Sequence, residues 1–155
     1  MSSVLYQYPF GLDTITLDFG VVDSDHPNGH RGVDFAPAGG GALRAVSDGV
    51  VVRNEYQSAL GWVVTVRAAD GCYWSFCHMA SQSPIPVGSA VTRGTVMGAV
   101  GNTGTAALGR HLHFTMSGMS SDPGTGPVFD PITYISTRLK PKRGLHNMEY
   151  RYIWD

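Results

Sequence analysis

Glycine and proline interrupt this chain at short intervals from end to end. The 155 residues include 20 glycines and 9 prolines, which are spread along the sequence rather than clustered. The apolar runs between them are short, and none sustains the periodicity of about 3.6 residues that an amphipathic helix shows. Several runs are instead rich in β-branched and aromatic residues. The pattern therefore predicts a mainly β fold, a single domain of short antiparallel strands joined by many turns.

A β-hairpin is predicted around Asp70 and Gly71, a dipeptide that favours tight turns. The predicted strands cover residues 49–52, 62–66, 72–78, 96–100 and 111–116. Side chains alternate between the two faces of a regular strand. We therefore expect Trp74, Phe76 and His78 to share one face of the second strand of the hairpin.

Composition argues for a folded protein without a nucleic-acid or membrane role. Hydrophobic residues make up 43% and charged residues 15% of the chain, whereas disorder requires low hydrophobicity and high charge. The formal net charge of -1 provides no broad positive field for nucleic acid. No apolar run approaches the roughly 20 residues needed to cross a bilayer. We therefore expect no nucleic-acid partner and no membrane insertion.

The sequence divides into one domain and a terminal extension. Residues 1–137 form the predicted domain, and residues 138–155 form a C-terminal extension that is richer in charged and aromatic side chains. The N-terminal residues lack the charged and apolar regions of a secretory signal peptide. The chain is therefore expected to be made in the cytoplasm.

Three short motifs, far apart in sequence, carry residue types that bind zinc. His30 and Asp34 lie in a glycine-containing turn region, and His78 ends an apolar run. His111 and His113 are two positions apart. Because residues two apart on a strand project to the same face, His111 and His113 are expected to line one site.

Taken one at a time, these motifs have plainer explanations. The histidines at 111 and 113 could be surface residues, the segment 30–34 a polar loop, and His78 a satisfied core residue. A cupin barrel also uses the H-x-H pattern, but it requires a glutamate nearby, and residues 114–121 contain no glutamate or aspartate. His26 is interpreted as a loop residue.

Together the motifs resemble those of the lysostaphin/LytM-type zinc metallopeptidases, in the same order along the chain. The family's H-x-G-x-D motif is matched at residues 30–34, its middle histidine at residue 78 and its H-x-H motif at residues 111–113. The resemblance extends over residues 29–135 and includes a glycine-punctuated turn at 101–104 and a closing Asp-Pro at 130–131. One departure is Arg110, which stands where the family has a small residue or proline.

The resemblance implies the fold, cofactor and chemistry of that family. It implies a barrel-sandwich hybrid (duplicated hybrid motif) with one Zn²⁺ per chain, bound by His30, Asp34 and His113. It implies catalytic histidines at His78 and His111, one acting as general base and the other stabilising the oxyanion or protonating the leaving amine. The implied activity is that of a zinc metalloendopeptidase, which hydrolyses peptide cross-links or stem peptides of bacterial peptidoglycan.

Two other interpretations involve no catalysis. The first is a catalytically inactive peptidoglycan-binding or regulatory module of the same fold, against which the complete set of five residues argues. The second is a biotinyl-type carrier domain, which would need a modifiable lysine in a hairpin, whereas the lysines here are Lys140 and Lys142. The lack of a signal peptide favours a phage endolysin, which a separate membrane pore releases onto the host cell wall.

Overall fold

The structure is a computed structural model that describes residues 4–140. Its strands are β1 (Ile15–Leu17), β2 (Val33–Phe35), β3 (Ala42–Arg44), β4 (Gly49–Gln57), β5 (Gly61–Ala68), β6 (Tyr73–Met79), β7 (Ala90–Val91), β8 (Val96–Ala99) and β9 (Leu112–Ser117). A 3-10 turn at Leu12–Thr14 and the helix α1 (Pro131–Ser136) are the helical elements of the described residues. The prediction of a mainly β fold is confirmed.

Seven strands form one antiparallel sheet in the order β1-β2-β9-β6-β5-β4-β7, and β3 pairs with β8 in a second, two-stranded sheet. The strands β4, β5 and β6 are joined by successive hairpins, and the second turn lies at Asp70 and Gly71 as predicted. β9 returns from the C-terminal half of the chain and lies between β6 and β2. This insertion brings the segment at 111–113 beside the segment at 30–34.

The large sheet has one apolar and one polar face. On β9, Leu112, Phe114 and Met116 belong to the hydrophobic core, whereas the alternate residues His113, Thr115 and Ser117 are buried polar side chains. The core also includes residues of β3 and β8 and the N-terminal aromatic residues Tyr6, Tyr8 and Phe10. The polar face is therefore the one on which a site can form.

The C-terminal part of the described chain closes the domain. Asp130 caps α1 by accepting a hydrogen bond from the backbone N–H of Ile132 at 3.0 Å. Beyond the helix, Tyr6 donates its N–H to the carbonyl of Arg138 at 2.8 Å and accepts from Lys140 at 3.2 Å. The predicted extension 138–155 thus begins with residues paired to Tyr6, and its remainder, residues 141–155, lies outside the described residues. Within residues 4–140, no helix has the length and apolar character to cross a membrane.

The prediction that His78 shares one face of its strand with Trp74 and Phe76 is wrong. Trp74 and Phe76 lie in the core, but the ring of His78 lies 6.0 Å from that of His113, on the polar face. The cause is a β-bulge, because the register slips between the pairs Trp62↔Met79 and Val64↔Phe76. His78 has φ of +60°, the one positive value among the described non-glycine residues. The bulge breaks the strand alternation and turns the imidazole toward the site.

Candidate metal centre

Three side-chain atoms converge on the polar face of the large sheet. The Nε2 atom of His30 lies 3.1 Å from Oδ1 of Asp34 and 3.2 Å from Nδ1 of His113. The third side of the triangle, from His113 Nδ1 to Asp34 Oδ1, is 2.9 Å. Within residues 4–140, this is the group of histidine, cysteine and carboxylate side chains close enough to hold a metal ion.

Strand pairing positions two members of this triangle. Asp34 on β2 is directly opposite His113 on β9, and residues directly opposite each other in a sheet project to the same face. His30 lies in the loop before β2, where its N–H donates to the carbonyl of Val21 and its carbonyl accepts from Gly20.

Gly32 explains the glycine of the H-x-G-x-D motif. A Cβ atom at this position would collide with the carbonyl oxygen of Phe114 and lie 2.9 Å from Cε1 of His113. Glycine therefore lets the segment between His30 and Asp34 approach β9 closely enough for the three ligand atoms to meet.

The donor set fits a divalent zinc ion. Tetrahedral ligands at about 2.0–2.1 Å from zinc are roughly 3.3 Å from one another, close to the sides of this triangle. His30 has its other ring nitrogen, Nδ1, 3.1 Å from the carbonyl of Asp18, to which it donates. A carbonyl behind a ligand histidine fixes its tautomer and leaves Nε2 with a free lone pair, which is the usual arrangement around zinc.

Two of the three groups are held in the protonation state that a metal ligand needs. Burial alone would raise the pKa of Asp34, but hydrogen bonds and charge from His113 and His30 hold that pKa below its usual range. Burial lowers the pKa of His113 despite the nearby carboxylate. For His30, burial also opposes the charged form, but the hydrogen bond and charge of Asp34 outweigh it and raise the pKa. A proton on His30 therefore competes with metal for Nε2.

His78 and His111 lie beside the triangle with their rings 4.8 Å apart. His78 donates from Nδ1 to the carbonyl of Thr103 at 2.7 Å, and His111 donates from Nδ1 to the carbonyl of Gly109 at 2.8 Å. In both rings the lone pair of the neutral form is therefore on Nε2. Burial lowers the pKa of His78 to about 4, so this imidazole is neutral at pH 7.

The turn at 101–104 is clamped behind His78. Thr103 donates from Oγ1 to the carbonyl of Met79 at 2.6 Å, and the same oxygen accepts the backbone N–H of Trp62 at 3.1 Å. Gly61 and Gly101 have no room for a Cβ against Thr103 and Ala80, respectively. Packing this close fixes the carbonyl that orients the His78 ring.

The five side chains line an open cavity of about 470 Å³. Asp23, Asp25 and His26 also line it. A second cavity, of about 270 Å³, adjoins the first and shares Asp34, Leu108 and His111 with it. Together the two cavities form a groove that passes over the site.

The structure thus brings all five sequence-predicted site residues together. His26, interpreted as a loop residue, lies with its ring 4.6 Å from that of His30, but its Nδ1 contacts Oδ1 of Asp23 at 2.8 Å. Sequence reasoning missed the carbonyls of Asp18, Thr103 and Gly109 that orient three of the rings, because any residue type supplies a backbone carbonyl. The available sequence signals were the glycine-containing turn at 101–104, which includes Thr103, and the glycine at 109 shortly before His111.

Comparisons with known proteins identify the family and the fold. The model of peptidase family M23 matches residues 28–123. The peptidoglycan DD-endopeptidase ShyC of Vibrio cholerae is 30% identical over 122 residues, which cover 70% of this chain but only 28% of that longer protein.

Two solved structures share the fold. The catalytic domain of lysostaphin, an antimicrobial peptidase from Staphylococcus simulans, superimposes with a TM-score of 0.69 at 26% identity, over 79% of this chain and 91% of that one. A variant of the catalytic domain of EnpA, a prophage-encoded M23 protein from Enterococcus faecalis, gives 0.68 at 27% identity, over 83% and 97%. The resemblance inferred from the motifs is confirmed.

Proposed function

Because this chain belongs to peptidase family M23, we propose that it is a zinc-dependent endopeptidase that hydrolyses peptide bonds of bacterial peptidoglycan. The observation that carries this proposal is the open groove that passes over the triangle of His30, Asp34 and His113, with two further imidazoles beside it. The peptidoglycan peptidases among the similar proteins support the choice of substrate.

The geometry of the site supports the following roles for the side chains. His30, Asp34 and His113 would hold the zinc ion, which when bound supplies a Lewis acid that polarises the scissile carbonyl and lowers the pKa of water. His78 and His111 each present Nε2 as a proton acceptor, because Nδ1 of each ring donates to a backbone carbonyl. One of them accepts a proton from the attacking water. The protonated ring can then donate to the leaving amine. The other ring stabilises the oxyanion only when it is itself protonated, because its neutral form presents a lone pair at Nε2 rather than a donor.

Asp34 has a second task in this arrangement. Its Oδ2 atom lies 3.7 Å from Nε2 of His111, while Oδ1 belongs to the triangle. The carboxylate therefore places negative charge beside His111 and would stabilise the imidazolium that forms when this ring accepts a proton.

Purified cell walls with and without a chelator test the proposed function. We expect the protein to solubilise walls, to lose this activity after chelation and to recover it on addition of Zn²⁺. Mass spectrometry of the released fragments should show new amino and carboxyl termini, because peptide bonds are cut. Sedimentation of the protein with walls that release no fragment would instead identify the catalytically inactive binding or regulatory module.

We further propose that this enzyme is a phage lysin made in the cytoplasm and directed against the host cell wall. Its similarity to a prophage-encoded protein of this family supports the proposal. Expression in a host with and without a membrane-pore protein tests it, since lysis is expected only when the pore is present. Lysis without the pore would contradict this mode of release.

A further inference from the structure

The two cavities of the groove differ in the charged side chains that line them. Besides Asp34, the first is lined by the carboxylates of Asp23 and Asp25 and by Arg31, whose guanidinium group donates to the carbonyls of Pro123 and Gly126. The second is lined by Thr16, Ala36, Gly109 and Arg110 beyond the residues that it shares with the first. A peptide that lay along both cavities would place one side of its scissile bond in each, and the two sides would then meet different electrostatic environments.

Arg110 is the cation of the second cavity, and it has no protein partner. Among residues 4–140, no side chain or carbonyl forms a hydrogen bond or ion pair with its guanidinium group. The side chain is exposed and runs along the backbone of Gly40, where a Cβ atom would lie 3.4 Å from Arg110 Nε. Gly40 has φ of +78°, a conformation that favours glycine. Because Gly40 has no side chain, the Arg110 side chain can lie against its backbone.

We infer that Arg110 is a specificity residue that binds a free carboxylate of the substrate, on the side of the scissile bond that occupies the second cavity. The planar guanidinium group presents two parallel N–H donors, which match a carboxylate. An extended residue spans ~3.3–3.6 Å, so a carboxylate one or two residues from the scissile bond lies within the cavity that begins at His111. In the first cavity the carboxylates of Asp23 and Asp25 outnumber the one arginine, Arg31, and make the same group less favourable there. This inference rests on the proposed function.

Comparing the hydrolysis of the same wall fragments with free and with amidated carboxylates tests the inference. The substrates are cross-linked muropeptides purified from digested walls, used either as isolated or after conversion of their carboxylates to carboxamides. We expect the wild-type enzyme to prefer the acidic fragments, and Arg110→Gln to raise KM for them by about 3–10-fold with little change in kcat. The variant should then show a similar KM for the acidic fragments and for their carboxamide forms. Arg110→Lys, which keeps the charge but loses the planar fork, should retain part of the preference.

A matched control and a binding measurement keep this test separate from that of the activity. Arg67→Gln removes an exposed arginine near the C-terminal end of β5. This control variant should preserve the preference for acidic fragments. Calorimetric titration of chelator-treated protein with the same fragments should show tighter binding of the acidic form, lost in Arg110→Gln. Equal binding of both fragments by wild-type protein, or a preference that survives Arg110→Gln, would overturn the role of Arg110. Selective binding without hydrolysis would overturn only the proposed activity.

Discussion

Replacing Asp34 with alanine is expected to abolish metal binding and hydrolysis together. The Oδ1 atom of Asp34 is one of the three atoms of the triangle. The contacts of this carboxylate with His30 and His113 also keep it ionised at low pH. Lewis-acid stabilisation is worth several kcal/mol, so losing the metal should lower the rate by at least about 10³-fold. Metal content after desalting and the rate of wall solubilisation measure the two effects.

Thermal unfolding separates loss of the metal from loss of the fold. A ligand that binds only the folded state at about 100 times its Kd stabilises it by about 2.7 kcal/mol, so Zn²⁺ should raise the Tm of the wild-type protein and leave that of Asp34→Ala unchanged. Asp13→Ala, which removes an exposed carboxylate in the 3-10 turn, is the matched control and should bind zinc normally. An Asp34→Ala protein that bound one zinc ion with wild-type affinity would remove Asp34 from the proposed ligand set.

The longer strands could be predicted from sequence because their residue types repeat the strand signal. Residues of β5 and β6 alternate or are β-branched over seven or eight positions, and a turn dipeptide joins them. By contrast, β2 is three residues long and lies in a segment that reads as a polar loop. Its strand conformation comes from pairing with β9, a contact between residues about 80 positions apart that local pattern does not contain. The β-bulge at His78 was not predictable for the same reason, because it depends on the register between β5 and β6.

The members of the candidate site could be proposed from sequence, because metal-binding chemistry depends on particular side chains. His30, Asp34 and His113 were identified from motifs whose spacing the strand geometry explains. The orientation of the rings was not predictable, since the carbonyls of Thr103 and Gly109 depend on how two loops pack. Arg110 was visible only as a departure from the family pattern, and its position over Gly40 is what gives it a proposed role.

Replacing His78 or His111 with alanine should have the opposite signature to loss of Asp34, with metal retained and turnover lost. Neither ring contributes an atom to the triangle, but both present Nε2 beside it. Loss of a positioned general acid or base typically costs about 10²–10⁴-fold, so kcat should fall by this factor while the zinc content stays at one per chain. Glutamine at either position retains polar character but cannot accept and return a proton in the same way, so it should not restore the rate.

The double variant distinguishes a shared proton path from two independent roles. If one proton passes between water and leaving amine through both rings, His78→Ala and His111→Ala combined should be about as slow as the slower single variant, because groups that act as a unit are not additive. Independent contributions would multiply instead. A His111→Ala protein that solubilised walls at the wild-type rate would contradict its role in proton transfer, whereas loss of zinc from that variant would move His111 into the ligand set.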